Sequence, residues 1–178
     1  YSGTASPTQK LTLSPEYAGA VLTASSSANI TGSMTSDASP SASWRTYYEW
    51  TSTQTALHDY TVALRVTLPA DFSAWATTNA LQIDFNTELT TSDTNRLDVL
   101  VYNSSDATYT PVSMRTSQTS ATVKTWTTIN IDDSDLDEGL SIDLDAAGET
   151  AIIYLRMFAK DTNYVQIGDV VLNYLSRF

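Results

Sequence analysis

The feature that most constrains this chain is a succession of short segments in which apolar and polar residues alternate with period two. Tyr60, Val62, Leu64, Val66 and Leu68 fall on one side of such a segment, and Thr61, Ala63, Arg65 and Thr67 on the other. Leu81, Ile83 and Phe85 alternate with Gln82, Asp84 and Asn86; Leu97, Val99 and Val101 alternate with Asp98, Leu100 and Tyr102. Successive side chains of an extended strand point to opposite faces, so each segment reads as a strand with one face buried. No stretch keeps a helical period, and Ser, Thr, Asp and Asn punctuate the series at even intervals. About eight to ten strands at this spacing, with no strand–helix alternation, predict an all-β, jelly-roll-like antiparallel β-sandwich.

The weaker segments complete the series. Lys10 to Thr23 opens it and is interrupted at Ser14-Pro15, because proline suits only an edge or a bend. Asn29 to Thr35 is short. From Trp44 to Thr51, Trp44, Thr46, Tyr48 and Trp50 share one face, and Arg45, Tyr47, Glu49 and Thr51 the other. Pro69 to Trp75 reads as a loop with a short helical turn. Val112 to Arg115, Trp126 to Ile131 and Leu140 to Leu144 are short elements. Ala151 to Ala159 is apolar on both faces, which predicts a central strand. Val165 to Tyr174 closes the chain with a bulge at Gly168-Asp169. The 178 residues suit one domain, residues 9–178, with residues 1–8 as an N-terminal tether.

Charge narrows the partners. Twenty acidic residues against nine basic ones give a net charge of -11. Such a field repels phosphate backbones and anionic lipid surfaces, so nucleic acid is not expected as a partner. No apolar run is long enough for membrane insertion as a helix. The absence of cysteine removes disulfides and thiolate chemistry. His58 is the single histidine, at the entry to the strongest strand, and reads as a turn residue. Threonine and serine in place of lysine and glutamate point to an extracellular or cell-surface setting.

Four aromatic residues are candidate ligand contacts: Trp44 and Trp75 in loops, and Tyr47 and Tyr102 if their sides of the strands face outward. Sugar rings stack on such side chains. Glu49, with Asp84 and Asp98, is the carboxylate set a glycosidase would need, but an outward Glu49 opposite a buried Tyr48/Trp50 pair is simply solvated. The acidic run from Asp132 to Gly139 offers Asp133, Asp135 and Asp137 as ligands for a structural calcium, although no cofactor is required. Lys10 and Asn173 could meet across neighbouring strands and, with Glu16, form an isopeptide staple. Asn29 and Asn103 begin N-glycosylation sequons.

Three stretches, Trp126 to Ile131, Ile152 to Met157 and Val165 to Tyr174, together resemble the closing strands of jelly-roll carbohydrate-binding modules. Thr12 to Leu22, Tyr47-Tyr48-Glu49-Trp50 and Val165 to Leu175 more closely resemble the C-terminal β-sandwich domain of large secreted surface proteins of environmental bacteria. That second family brings no ligand or catalytic residue to carry over. The composition, the closed strand series, the tether-like N-terminus and the lack of catalytic motifs point to a non-catalytic terminal domain of an extracellular surface or fibre protein, serving adhesion, recognition or assembly. Its partners would be a glycan, another cell-surface ligand, or copies of itself in a homo-oligomer. A self-assembling fibre or coat subunit and a small glycoside hydrolase or lyase are the alternatives.

Overall fold

The computed structural model describes residues 6–24, 32–38, 45–105, 110–137 and 142–177. In chain order these form β1 (Thr8–Leu13), β2 (Val21–Ala24), β3 (Gly32–Ala38), β4 (Thr46–Ser52), β5 (His58–Thr67), β6 (Phe72–Trp75) and β7 (Leu81–Thr87). There follow β8 (Asn95–Asn103), β9 (Val112–Gln118), β10 (Thr127–Ile131), a one-turn helix α1 (Asp133–Leu136), β11 (Thr150–Ala159) and β12 (Tyr164–Ser176). Every strand pairing is antiparallel.

Eight strands make the frame. The order β10-β7-β12-β4 runs through the first sheet and β5-β11-β8-β9 through the second. Along these eight strands the chain passes between sheets at β4 to β5, β5 to β7, β7 to β8, β9 to β10, β10 to β11 and β11 to β12. That is the double Greek key of a jelly roll, as the strand series predicts. The other strands extend it: β3 beside β4, β2 beside β5, and β1 and β6 along β12.

The alternating apolar residues meet between the sheets. Tyr48, Trp50, Ile83, Phe85, Ile167 and Leu172 from the first sheet face Val62, Leu64, Val99, Ile153 and Leu155 from the second, all buried. Trp50 is 1% exposed, and its Nε1 donates to the His58 carbonyl at 2.9 Å. A buried aromatic tolerates such a site because its polar tip finds a partner. β11 takes the centre of the second sheet, as its apolar faces require.

β12 is the hub of the first sheet. One of its edges pairs with β4 over Tyr164 to Ile167 and then with β1 over Val170 to Leu175. Its other edge pairs with β7 and then with β6. Ile167 faces Phe85 while Val170 faces Ile83, so β12 carries an extra residue at Gly168-Asp169, the predicted bulge. Tyr17, from the segment after β1, closes the junction there. Its hydroxyl donates to the Gly168 carbonyl, and its ring lies 5.5 Å from that of Tyr48. Burial pushes the Tyr17 phenol well above its ordinary value, with Tyr48, Asp169 and Asp84 adding to the effect.

Several expectations are revised. Lys10 to Thr23 is two strands in opposite sheets, because Ser14 to Ala20 crosses between them. Pro69 to Trp75 is not a loop with a helical turn: its end is β6, held by β12, and Phe72 stacks 5.7 Å from Tyr174. Ile142 and Leu144 are buried without being a strand, while Leu140 lies outside the described residues. Of the residues 1–8 expected as a tether, Thr8 begins β1 and the Pro7 carbonyl accepts from the Ser176 amide, so both join the sandwich, while residues 1–5 lie outside the described residues.

Candidate functional site

The outward face of the first sheet is built from polar rows crossing neighbouring strands. Along β7, Gln82, Asp84 and Asn86 point away from the core because Leu81, Ile83 and Phe85 point into it. Each heads one row. In the first, Gln82 donates to Asn130 at 2.9 Å and accepts from Asn173 at 3.2 Å. A hollow of about 530 Å³ lies beside that row, lined in part by Thr77, Thr78, Asn79, Gln82 and Asn173.

The middle row joins charge to aromatic rings. Asp84 holds Arg45 at 2.6 Å and accepts from the Thr128 hydroxyl at 2.7 Å. The Arg45 guanidinium lies over the Trp126 ring at 4.4 Å, and Tyr47 packs against the same ring at 5.9 Å. Trp126 reaches this place because the β12 bulge puts Gly168 beneath it. A Cβ on Gly168 would come within 3.0 Å of the indole. In the third row Asn86 Nδ2 donates to Gln166 Oε1 at 2.9 Å, and Gln166 Nε2 donates to Glu49 Oε2 at 2.6 Å. Asn86 is 4% and Gln166 8% exposed, so this chain of bonds is largely shielded and ends on a half-buried carboxylate.

The outward face of the second sheet has a different chemistry. Ile152, Tyr154, Arg156 and Phe158 project from β11, flanked by Ala63 and Arg65 on β5 and by Arg96, Asp98, Leu100 and Tyr102 on β8. Arg156 pairs with Asp59 at 2.6 Å, and Arg96 and Arg156 both lie over the Phe158 ring, at 4.3 and 4.8 Å. Nε of Arg96 is buried with no hydrogen-bond partner, and Asp98 stands 3.8 Å from it.

The four aromatic candidates therefore part company. Tyr47 is on the outward face of the first sheet and Tyr102 on that of the second, so they do not share a site. Trp75 is not a loop contact: it is 4% exposed, and its Nε1 donates to the Leu144 carbonyl inside the core. Trp44 lies outside the described residues. Sequence reasoning missed Arg45, Trp126 and Gln166 as surface partners. The signal was Trp126 standing ahead of an alternating strand, together with the lone glycine in β12.

The carboxylate set divides likewise. Glu49 and Asp84 share the first face, while Asp98 is on the second, where it accepts from the Ser117 amide at 2.6 Å. Asp133, Asp135 and Asp137 do not converge as metal ligands. Asp135 is 2.9 Å from Arg115 and accepts from the Asp132 amide. Among the described residues no group of three or more His, Cys, Asp or Glu side chains could hold a metal ion. Lys10 stands opposite Asn173 in register, but the Asn173 amide serves Asn79 and Gln82. Asn103 of the second sequon is buried and bonded to the Asp143 carbonyl and Glu149; Asn29 lies outside the described residues.

No protein-family model matches the chain, and no curated protein does. Among solved structures it is similar to TmCBM61 in complex with β-1,4-galactotriose, at TM-score 0.48 and 12% identity over 89% of each chain. It is also similar to the family 11 carbohydrate-binding module from Clostridium thermocellum in complex with a β-1,3-1,4-mixed-linked tetrasaccharide (TM-score 0.40, 13% identity, 100% of this chain and 94% of that one). A family two carbohydrate esterase from Cellvibrio japonicus is a third (TM-score 0.46, 9% identity, 96% of this chain and 35% of that one). At these identities no residue, ligand or activity transfers to this chain.

Proposed function

We propose that this chain is a non-catalytic glycan-recognition domain of an extracellular protein, and that it binds through the outward face of the first sheet. One observation carries the reading: the Tyr47–Trp126 ring pair sits among three rows of mutually bonded amide, carboxylate and guanidinium groups. Sugar rings present C–H faces that stack on aromatic side chains and hydroxyls that both donate and accept. Side chains already held in place lose little rotamer freedom on binding, which favours the complex. Rows two residues apart along a strand repeat at roughly 7 Å, so an extended oligosaccharide lying along the strands would meet one row after another.

Isothermal titration against a panel of neutral β-linked galacto- and gluco-oligosaccharides tests this. At least one member should bind, and Trp126→Ala should weaken it tenfold or more. A panel with no binder, or a Trp126→Ala variant that binds as well as the parent, would sink the reading. Product release from the panel that disappears in Glu49→Gln would replace recognition with hydrolysis. Self-assembly is the second reading, favoured by Val21, 57% exposed on the edge strand β2. Light scattering showing a concentration-independent monomer counts against it.

A further inference from the structure

The outward face of the second sheet departs from the rest of the molecule in charge. Arg65, Arg96 and Arg156, three of the six arginines, stand on the face of β5, β8 and β11 with, among the described residues, only Asp59 and Asp98, although the chain as a whole carries -11. Its relief is set by side-chain size. Tyr154 lies between Ala63 on β5 and Leu100 on β8. The alanine leaves a dip on one side of the tyrosine, a hollow of about 470 Å³ lined by Val21, Ala63, Arg65, Ile152 and Tyr154 among others. On the other side is a hollow of about 160 Å³ lined by Thr61, Leu100, Pro111, Tyr154 and Arg156.

The two hollows share one aromatic ring, and each carries one arginine. Arg156 is held through Nε by Asp59, so its guanidinium keeps one orientation. Arg65 is exposed and makes no ion pair among the described residues. A ligand that matches this pattern has flat apolar ring faces and an anionic group on successive units. We infer that this face is a second carbohydrate site, for an acidic oligosaccharide bearing carboxylate or sulfate groups. A sugar ring stacks on Tyr154, and the acidic groups of neighbouring residues reach Arg65 and Arg156. Guanidinium is the side chain best shaped for bidentate pairing with such oxyanions. The acidic body of the protein opposes a polyanion beyond these contacts, so binding is short in reach and sensitive to salt.

This site stands or falls apart from the first face. The test titrates oligogalacturonate and a sulfated galacto-oligosaccharide, each beside its neutral counterpart, at low and high salt. The parent should bind an acidic ligand at least tenfold tighter than the neutral one at low salt, with the advantage shrinking at high salt. Arg65→Ala, which disturbs no ion pair, and Tyr154→Ala should each cost fivefold or more, while Arg65→Lys should recover part of the loss and Trp126→Ala should change nothing. Equal binding of acidic and neutral sugars, or an unaffected Arg65→Ala, would overturn the proposal. So would a glutamate-rich peptide of equal charge binding as tightly as the oligosaccharide, which would make the face a dock for an acidic protein.

Discussion

The two outward faces are made by the same alternation on the same frame, yet they spend their polar groups differently. On the first sheet the outward side chains satisfy one another: Asn86, Gln166 and Glu49 form one chain, and Asp84 holds both Arg45 and Thr128. On the second sheet the outward side chains of β11 include Ile152, Tyr154, Arg156 and Phe158, and of these only Arg156 makes an ion pair. A strand commits one face to the core and leaves the other nearly free of folding constraints. The first face uses that freedom for directional bonds and the second for surface and charge.

The sharpest way to break the contrast is to cut the first network at its middle. Gln166→Ala removes the acceptor of the shielded Asn86 amide and the donor to Glu49, so chemical denaturation should show a loss of about 1–3 kcal/mol. Thr61→Ala on the other face should cost less than about 0.5 kcal/mol. Equal losses would erase the distinction. Tyr17→Phe removes the donor to the Gly168 carbonyl under the first face, for a loss of about 1–2 kcal/mol. It should also change the alkaline limb. The folded phenol has a raised pKa, so the unfolded chain gives up its proton first as pH passes about 10, and stability falls there. A melting profile above pH 10 should be shallower in the variant than in the parent.

Smaller changes sharpen it further. Gly168→Ala should displace the Trp126 ring, costing about 1 kcal/mol and weakening glycan binding on the first face while leaving the second unaltered. The smallest effect lies away from both faces, at Asp145. Burial first, then Asp143, Asp137 and Glu149, raise its pKa, so its charged form opposes folding. Asp145→Asn should raise the melting temperature slightly at neutral pH and not at all once the pH is below the ordinary aspartate range, where both states are protonated.

What the sequence made legible was what is local. The alternation in β5, β7 and β8 names their inward residues because period two needs no knowledge of a partner. It sets Tyr48 and Trp50 on one side of their strand and Glu49 on the other but does not say which side is buried; the sheet packing puts Tyr48 and Trp50 in the core. β6 escaped because Phe72 to Trp75 becomes a strand only by pairing with residues near Tyr174. Tyr47 and Tyr102 are candidate contacts only if they face outward, and which sheet each joins is a property of the topology. Arg45, Asp84 and Trp126 meet from three separate segments, a convergence that no spacing within one segment encodes. The aspartates after Ile131 suggested a metal, yet the fold uses Asp135 to hold Arg115 and the start of α1.

β12 has a last consequence, one of time. Every strand it pairs with, β1, β4, β6 and β7, precedes it in the chain, and the Ser176 hydroxyl meets the Pro7 carbonyl across 169 residues. Without β12, the pairs β4 with β3 and β7 with β10 have nothing to join them, and each presents an open edge where β12 belongs. Such edges invite pairing with other chains. Closing the first sheet thus depends on contacts of long sequence separation, the kind that slows folding. Its outward face, with the rows that Gln166 and Asn173 complete, exists only once β12 joins the two halves.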